Sequence, residues 1–457
     1  MGNVNTIGNK YLGVTDNSIM FLTKGSTNIM TRLESSDENL YKFFSVNDSG
    51  KKIMESIDGS ATINDFIKNF CENYNLEYET NKGWIAAFIM EMIQKKALKL
   101  SEIPMDNSKV LLQGSEDTIS PVHATIEITE KCNLKCKHCY LEAGICKTSM
   151  IDYDRFEKLV DEMVANHVLN VEITGGEIFM HPRVLDILKL CYKKFAMLGI
   201  LTNGTIMTDE VLELIAENKD RTVVNISIDA VDPDMHDEFR GMKGSWKASC
   251  NTIRRLADKG IKVRMASCIS KDNMWEIDKL ADLAVSLGAS IFSFNFIEEF
   301  GRGSEFSKEK GIENAVEYDK YVRKIINDYK DIIPVIKEED KSEMKLHENC
   351  GAGTRSVVIG ADGYIRPCPL SPKLRFIGNV LKDDFKSVFD NPKIKRLQEI
   401  IPPDIRNGCD PDCKYLANCT GCYIKGIDKC KSNNMKCSWI TKNHLEDVLE
   451  MFTEDQE

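Results

Sequence analysis

Strands and helices alternate six times between residues 124 and 329, and this alternation constrains the fold more than any other feature. Hydrophobic periodicity predicts strands at 124–130, 170–174, 196–202, 222–229, 262–267 and 291–297. It predicts helices at 153–166, 183–195, 209–217, 246–259, 275–287 and 315–329. Strand–helix–strand units of this kind form a parallel sheet with right-handed crossovers. The sequence therefore predicts an α/β fold whose active residues follow the carboxyl ends of the strands.

Three cysteines follow the first of these strands directly. Cys132, Cys136 and Cys139 are spaced CxxxCxxC, in a segment predicted as a loop. Thiolates are the usual protein ligands of a 4Fe–4S cluster, and three ligands leave one of its four irons open for chemistry. The alternative is a zinc knuckle, but zinc motifs usually pair one CxxC with another or with histidines.

This loop resembles the cluster loop of radical S-adenosylmethionine (SAM) enzymes. The resemblance implies a partial (β/α)6 TIM barrel at 123–330 and a 4Fe–4S cluster on Cys132, Cys136 and Cys139. It also implies that SAM binds the open iron through its methionine amine and carboxylate. An external electron donor such as flavodoxin or ferredoxin would reduce the cluster.

Further residues, in the loop and after it in the sequence, match motifs of the family and follow the same order along the chain. By this resemblance, the residues that bind SAM are His138, Gly175, Gly176, Glu177, Asn203, Ser227, Asp229 and Arg240. Glu177 would accept a hydrogen bond from the SAM amine, and the two glycines before it allow close backbone approach. Ser227 and Arg240 would face the carboxylate, for which a guanidinium is a planar match. Asp229 would lie near the ribose and His138 near adenine. The family usually has proline where this chain has Ile178.

Residues 1–105 are predicted to form a separate winged-helix-like α+β domain, followed by a linker at 106–122. Segments 28–33 and 40–46 suggest a hairpin, and helices are predicted at 50–57, 62–75 and 80–96. DNA binding would require basic helices, whereas the second helix has one basic residue, Lys68, and two acidic ones, Asp65 and Glu72. The pattern resembles instead the domain typified by the pyrroloquinoline quinone biosynthesis D protein. That resemblance implies that the leader of a ribosomal precursor peptide adds as a strand to the hairpin edge.

A second field of cysteines occupies the end of the chain, after a bridging region at 331–348. Its members are Cys350, Cys368, Cys409, Cys413, Cys419, Cys422, Cys430 and Cys437. Their order resembles the SPASM domain (349–440), followed by a C-terminal helix (441–457). The resemblance implies two auxiliary 4Fe–4S clusters, three clusters in all. The first would use Cys350, Cys368 and Cys422, and the second would use the remaining cysteines except Cys430. That thiol could complete the first cluster, exchange with Cys437 or stay free. A zinc ribbon is the alternative.

The amino-acid composition disfavours some partners and indicates a cellular compartment. The net charge of −11 disfavours nucleic acid, and no apolar run of about 18 residues predicts a membrane span. Sixteen cysteines in a chain with no signal peptide are expected to be metal ligands in the cytoplasm rather than disulfides.

The combined resemblance predicts an enzyme that abstracts hydrogen from a precursor peptide through a 5′-deoxyadenosyl radical. A cross-link would follow, with a cysteine thioether expected first and a carbon–carbon bond (streptide-type) second. Sulfatase-maturase-like chemistry and peptide epimerisation are the further enzyme alternatives. Glu298 and Glu299, after the sixth strand, could supply a base or belong to a solvated loop. The non-enzyme alternative is an iron–sulfur electron carrier or a leader-binding module.

Overall fold

The computed structural model describes residues 7–16, 18–23, 26–32, 41–106, 108–114, 121–298, 300–304, 315–337, 350–371, 373–432 and 437–454. The chain divides into two units, Met1–Ile119 and Ser120–Glu457. Glu299 and the bridging residues 338–348 lie outside the described residues.

The first unit contains a four-stranded sheet and a separate two-stranded sheet. Its strands are β1 (Tyr11–Val14), β2 (Ser18–Thr23), β3 (Ser26–Arg32), β4 (Tyr41–Val46), β5 (Leu98–Ser101) and β6 (Leu111–Gly114). The order β4-β3-β2-β6 forms one sheet, and β1 pairs separately with β5. The predicted hairpin strands correspond to β3 and β4, in which Thr27 lies opposite Val46. Strand β6 forms inside the segment predicted as a linker.

Three helices separate β4 from β5, and each begins at a capping side chain. They are α1 (Asp48–Ser56), α2 (Ile63–Asn73) and α3 (Tyr78–Gln94). Side chains of Asn47, Thr62 and Glu77 accept hydrogen bonds from the first-turn amides, which otherwise have no helical partner. Ile53, Ile85 and Ile89 are fully buried in the core of this unit.

The second unit is organised around a long, mainly parallel sheet. Its described strands are β7 (His123–Glu127), β8 (Asn170–Thr174), β9 (Met197–Thr202), β10 (Thr222–Ser227), β11 (Lys262–Ile269), β12 (Ile291–Phe296), β13 (Val335–Lys337), β14 (Ser356–Ile359) and β15 (Ile365–Arg366). Their order is β13-β12-β11-β10-β9-β8-β7-β14-β15, and only β15 pairs antiparallel with its neighbour. Among the described strands the sheet has two edges, β13 and β15, and the predicted α/β fold with an open, partial barrel is confirmed. Strands β13 to β15 were not predicted.

Helices cross between the parallel strands, and shorter ones follow in the cysteine-rich region. The crossover helices are α4 (Tyr153–Ala165), α5 (Val184–Lys194), α6 (Asp209–Glu217), α7 (Pro233–Arg240), α8 (Ser245–Asp258), α9 (Ile277–Ser286) and α10 (Ala315–Tyr329). The later ones are α11 (Phe385–Phe389), α12 (Pro392–Gln398), α13 (Leu416–Cys419), α14 (Tyr423–Ser432), α15 (Ser438–Lys442) and α16 (Glu446–Glu454). Among the described residues, no helix combines the length and apolarity needed to cross a membrane.

Sheet order decides which loops become neighbours. Strands β7, β8, β9 and β10 lie side by side and parallel, so their carboxyl ends share one edge of the sheet. Strand β14 pairs with β7 on its other side, with Ile359 opposite Ile126. The loop that carries Cys132 therefore lies between the barrel strands and the strand pair that leads towards Cys368.

Candidate active site

The three predicted cluster cysteines lie together in the loop after β7. Cys132 and Cys136 are buried, Cys139 is half-buried, and all three pack in one small cluster with Leu134 and Ala143. Burial, together with the nearby Glu177 and the thiols of Cys136 and Cys139, raises the pKa of the Cys132 thiol to about 12. A thiol with this pKa is protonated at neutral pH, so a metal that binds it must displace the proton.

Each of the three sulfur atoms accepts a hydrogen bond. The donors are Leu134 N to Cys132 Sγ (3.4 Å), Asn203 Nδ2 to Cys132 Sγ (3.9 Å), Arg240 Nη1 to Cys136 Sγ (3.7 Å) and Ala143 N to Cys139 Sγ (3.4 Å). Hydrogen bonds to sulfur are one of the means by which a protein sets the potential of an iron–sulfur cluster. Two residues predicted to bind SAM, Asn203 and Arg240, thus also contact the cluster cysteines.

Gly175 and Gly176 place the end of β8 directly against the cluster loop. Gly175 has φ +148°, and a Cβ there would lie 2.3 Å from the carbonyl oxygen of Thr129. A Cβ on Gly176 would lie 2.5 Å from the carbonyl oxygen of Lys131. The backbone of this turn instead donates hydrogen bonds to both carbonyls. Ile178, which replaces the family's proline, is fully buried in the following 3-10 turn.

Glu177 is fully buried and joins two strand ends. Its carboxylate accepts hydrogen bonds from Thr202 Oγ1 (2.7 Å), Asn203 N (2.8 Å) and Phe179 N (3.2 Å). Burial raises the pKa of Glu177, although these donors oppose the shift. The carboxylate therefore orders the end of β9 beside β8, a role that the sequence did not predict. Its predicted contact with the SAM amine stays a prediction.

Asp229 and Arg240 bind each other. Arg240 Nε donates to Asp229 Oδ2 at 2.5 Å, and the two side chains are 9% and 2% exposed, respectively. Burial is the largest influence on the pKa of Asp229 and raises it, but the Arg240 charge and hydrogen bond, together with His138 and His236, leave that pKa below the ordinary value. Asp229 also accepts from the backbone amide of Cys268 at 2.9 Å. Ser227 is half-buried at the end of β10.

His138 lies against this pair, beside a small cavity. Its ring stacks on Phe239 with centroids 4.6 Å apart, and burial lowers its pKa to about 4. A ring nitrogen of His138, the sulfur of Cys268 and a carboxylate oxygen of Asp229 lie within 4.8 Å of one another. The cavity, of about 90 Å³, is lined by Asp229, Phe239 and Asn273 among others. Asn273, which the sequence did not single out, donates to the backbone carbonyl of Asp229 at 2.7 Å.

The C-terminal cysteines fall into two groups. In the first, the thiols of Cys350 and Cys422 lie close enough to Cys368 to contribute to its pKa, which burial chiefly raises to about 12. Tyr423 is buried beside these three cysteines, and its hydroxyl donates to the carbonyl of Ala352 at 2.7 Å.

The second group contains the other five cysteines, and Cys430 is one of them. They are Cys409, Cys413, Cys419, Cys430 and Cys437. A hydrogen bond between Cys430 and Cys437 raises the pKa of Cys430 and lowers that of Cys437. Cys430 thus lies beside Cys437 rather than with the first group.

Comparisons with known proteins agree with this geometry. Residues 126–284 match the model of the radical SAM superfamily, and residues 350–423 match SPASM, an iron–sulfur cluster-binding domain. The antilisterial bacteriocin subtilosin biosynthesis protein AlbA of Bacillus subtilis is 36% identical over 414 residues, which cover 90% of this chain and 91% of AlbA. The chain belongs to the radical SAM superfamily. It is a radical SAM enzyme with a SPASM domain.

Two further relatives extend the comparison. The sporulation killing factor maturation protein SkfB of Bacillus subtilis is 27% identical over 287 residues, covering 63% of this chain and 69% of SkfB. The crystal structure of Streptococcus suis SuiB bound to precursor peptide SuiA matches with a TM-score of 0.63 at 16% identity. That match covers 92% of this chain and 97% of SuiB, and it shows a shared fold.

Radical SAM enzymes use SAM and a 4Fe–4S cluster, and the residues of this loop fit both. Three thiols converge within one loop, and each already receives a hydrogen bond. Within the described part of the chain, His138 Nδ1 and Arg302 Nη2 are buried and have no hydrogen-bond partner. Buried polar atoms in native proteins are nearly always paired, so these two atoms beside the cysteine loop fit the binding of a polar group there.

Arg302, which the sequence did not single out, holds the backbone of the cysteine loop. Its Nε donates to the carbonyl of Cys136 at 2.8 Å and its Nη1 to that of Ala143 at 3.1 Å, while its backbone amide donates to Cys139 O. Gly301 permits this contact, because a Cβ there would lie 2.5 Å from Tyr140 O. Arg302 follows the sixth predicted strand, where an Arg between two glycines was the available signal.

Glu298, a candidate base after the sixth predicted strand, is paired with Lys425. Lys425 Nζ lies 2.6 Å from Glu298 Oε1, and both side chains are about one-fifth exposed. Lys425 belongs to α14, which begins directly after Cys422. The pair therefore joins the end of β12 to the auxiliary cysteine region.

Proposed function

We propose that this radical SAM enzyme matures a ribosomally synthesised precursor peptide by installing an intramolecular cross-link, with a cysteine thioether as the product. The observation that carries the proposal is the 36% identity to AlbA, a bacteriocin biosynthesis protein, along nine-tenths of the chain. SkfB, a maturation protein, and the fold likeness to SuiB bound to a precursor peptide support it.

The proposed roles of the site residues follow from their contacts. When bound, the cluster and SAM supply a 5′-deoxyadenosyl radical that abstracts hydrogen from the peptide. Cys132, Cys136 and Cys139 hold the cluster, and Asn203 and Arg240 donate to its sulfur ligands. The remaining predicted SAM-binding residues are His138, Gly175, Gly176, Glu177, Ser227 and Asp229. His138 belongs to the loop itself, and the others lie at or just after the ends of β8 and β10.

Thioether formation removes two hydrogens from the peptide, and the second needs an acceptor for its electron. One hydrogen leaves in 5′-deoxyadenosine, and the other leaves as a thiol proton and an electron. We propose that the SPASM domain receives this electron with two auxiliary 4Fe–4S clusters. Cys350, Cys368 and Cys422 would hold the first. Cys409, Cys413, Cys419 and Cys437 would hold the second, with Cys430 beside them.

We assign binding of the peptide leader to the first unit. Strand β4 pairs with β3 on one side, and no described strand pairs with its other side. An edge strand presents unpaired N–H and C=O groups to which an extended peptide can add. Phe44 of this strand packs against the core, and α1 begins two residues after the strand ends, so both contacts fix the position of the edge.

The proposal also includes an external donor and a compartment. A one-electron donor such as flavodoxin or ferredoxin would reduce the radical-generating cluster. The described cysteines, sixteen in all, form no disulfide. We infer a cytoplasmic setting, where thiols stay reduced.

The test is incubation of the anaerobically reconstituted enzyme with SAM, a reductant and its precursor peptide. We expect 5′-deoxyadenosine and a peptide lighter by two hydrogens per bond, with one fewer alkylatable cysteine. A carbon–carbon cross-link would give the same mass loss with every thiol still alkylatable. Epimerisation would leave the mass unchanged. Absence of 5′-deoxyadenosine would contradict the enzyme proposal.

Leader binding has a separate test. Deletion of the residues before Ser101 is expected to weaken peptide binding at least tenfold while SAM cleavage without peptide continues. Binding can be measured by fluorescence anisotropy with a labelled leader peptide, and Cys132→Ala in the full chain is the matched control that retains the first unit. Unchanged affinity after the deletion would exclude this role for the first unit.

A further inference from the structure

A buried ion pair lies between the loop of the radical-generating cluster and the first auxiliary group. Arg366 Nη2 donates to Glu127 Oε1, and the two side chains are only 5% and 2% exposed, respectively. Glu127 ends β7, five residues before Cys132, and Arg366 ends β15, two residues before Cys368. Each charge therefore belongs to the strand that leads into one of the two cysteine sites.

Tyr140 fixes the pair from the cluster side. Its hydroxyl donates to the same Glu127 oxygen at 3.0 Å, and the Arg366 guanidinium lies 5.4 Å from the centre of its ring. Tyr140 is the residue directly after Cys139. The three side chains thus connect the last cysteine of the cluster loop with the strand before Cys368.

The orientation of the pair has electrostatic consequences. Charges separated from solvent interact over several ångströms with little screening. Glu127 is anchored to the cluster loop through Tyr140, whereas Arg366 precedes Cys368 and its charge acts on that thiol. The Arg366 Nε atom is buried without a partner among the described residues. By sequence and by its hydrogen bond to Tyr140, Glu127 therefore belongs to the side of the cluster loop, whereas Arg366 belongs to the strand before Cys368.

We propose that Glu127 and Arg366 act as a fixed dipole that lowers the reduction potential of the radical-generating cluster and raises that of the first auxiliary cluster. Reduction adds negative charge to a cluster, so a nearby carboxylate disfavours it and a nearby guanidinium favours it. A low potential suits reductive cleavage of SAM, and a higher one suits an electron acceptor. Both are positioning residues, and the inference rests on the cluster ligands of the proposed function.

The test is a redox titration of the anaerobically reconstituted full chain, followed by electron paramagnetic resonance. The radical-generating cluster is identified by its response to added SAM, and the first auxiliary cluster by its absence in Cys368→Ala. In the double variant Glu127→Gln/Arg366→Gln, the first midpoint should rise and the second should fall. We expect the electron-transfer equilibrium between them to change about tenfold, or about 59 mV in the difference of midpoints. Midpoints that stay unchanged or move together would overturn the proposal.

Single variants keep the proposal testable if the double variant does not load clusters. Arg366→Gln should lower the auxiliary midpoint, whereas Arg366→Lys, which keeps the charge, should leave it near the wild-type value. Equal midpoints in these two variants would also overturn the dipole. Failure of the ligand assignment has a different signature, because Cys132→Ala and Cys368→Ala would then retain the full wild-type iron content.

Discussion

The two cysteine regions of this enzyme are organised in opposite ways. Cys132, Cys136 and Cys139 occupy one short loop, whose backbone is held by β8, by Arg302 and by the backbone carbonyls of Phe239 and Arg240. The C-terminal cysteines are spread from Cys350 to Cys437 among short helices and turns. In the first region the sheet positions the proposed ligands, whereas in the second region we expect the bound clusters to help position the chain.

This difference predicts that activity depends most steeply on the short loop. Cys132→Ala should abolish 5′-deoxyadenosine formation and lower the iron content by about four atoms per chain, because one 4Fe–4S cluster is lost. Product chromatography and iron analysis measure both quantities. Cys146, exposed just beyond the same loop, offers the matched control, since Cys146→Ala should keep both at wild-type values. Equal losses in the two variants would mean that the loop, rather than its ligands, was damaged.

Removal of the clusters should lower the local stability of the C-terminal cysteine region more than that of the barrel. After chelation of iron under reducing conditions, we expect the amides of β7 to β12 to keep their protection, because their hydrogen bonds and buried core involve no metal ligand. Amides between residues 405 and 432 should exchange faster, because metal binding and folding are coupled where ligands organise the chain. Hydrogen exchange with mass spectrometry measures both regions in one sample. Uniform protection in the metal-free protein would contradict the comparison.

The same contrast explains how much the sequence could predict. The six barrel strands and the residues at their ends were predictable, because alternating and helical periods are local and parallel strands share an edge. Cys430 could not be placed, because its spacing allowed three arrangements that depend on contacts distant in the chain. Strands β14 and β15 are too short for a periodic signal. Arg302 and Glu127 contact residues far along the chain, so a local pattern such as Gly301-Arg302-Gly303 could mark a turn but could not identify its partners.

A substitution at Arg302 tests whether contacts from residues far along the chain stabilise the loop of Cys132, Cys136 and Cys139. Arg302→Gln removes a charged donor that contacts the carbonyls of Cys136 and Ala143, and hydrogen bonds of a charged group contribute about 1.5–3 kcal/mol each. We expect a ten- to hundredfold slower formation of 5′-deoxyadenosine and a weaker resonance from the SAM-responsive cluster, with the auxiliary signals unchanged. Arg155→Gln, an exposed charge on α4, is the control. Equal weakening of all cluster signals would show a general loss of folding instead.

The smallest expected effect concerns the first auxiliary group. Tyr423→Phe removes the buried hydrogen bond to Ala352 O beside Cys350, Cys368 and Cys422, which contributes about 1 kcal/mol. Because the ring remains in place, we expect only about fivefold faster iron release from this group in the presence of a chelator, with wild-type release from the radical-generating cluster. Tyr321→Phe removes a comparable hydrogen bond to Asp278 within the barrel and should change neither rate. If Tyr423→Phe also left both rates unchanged, the first auxiliary group would be held by its ligands alone, and the surrounding packing would contribute nothing measurable.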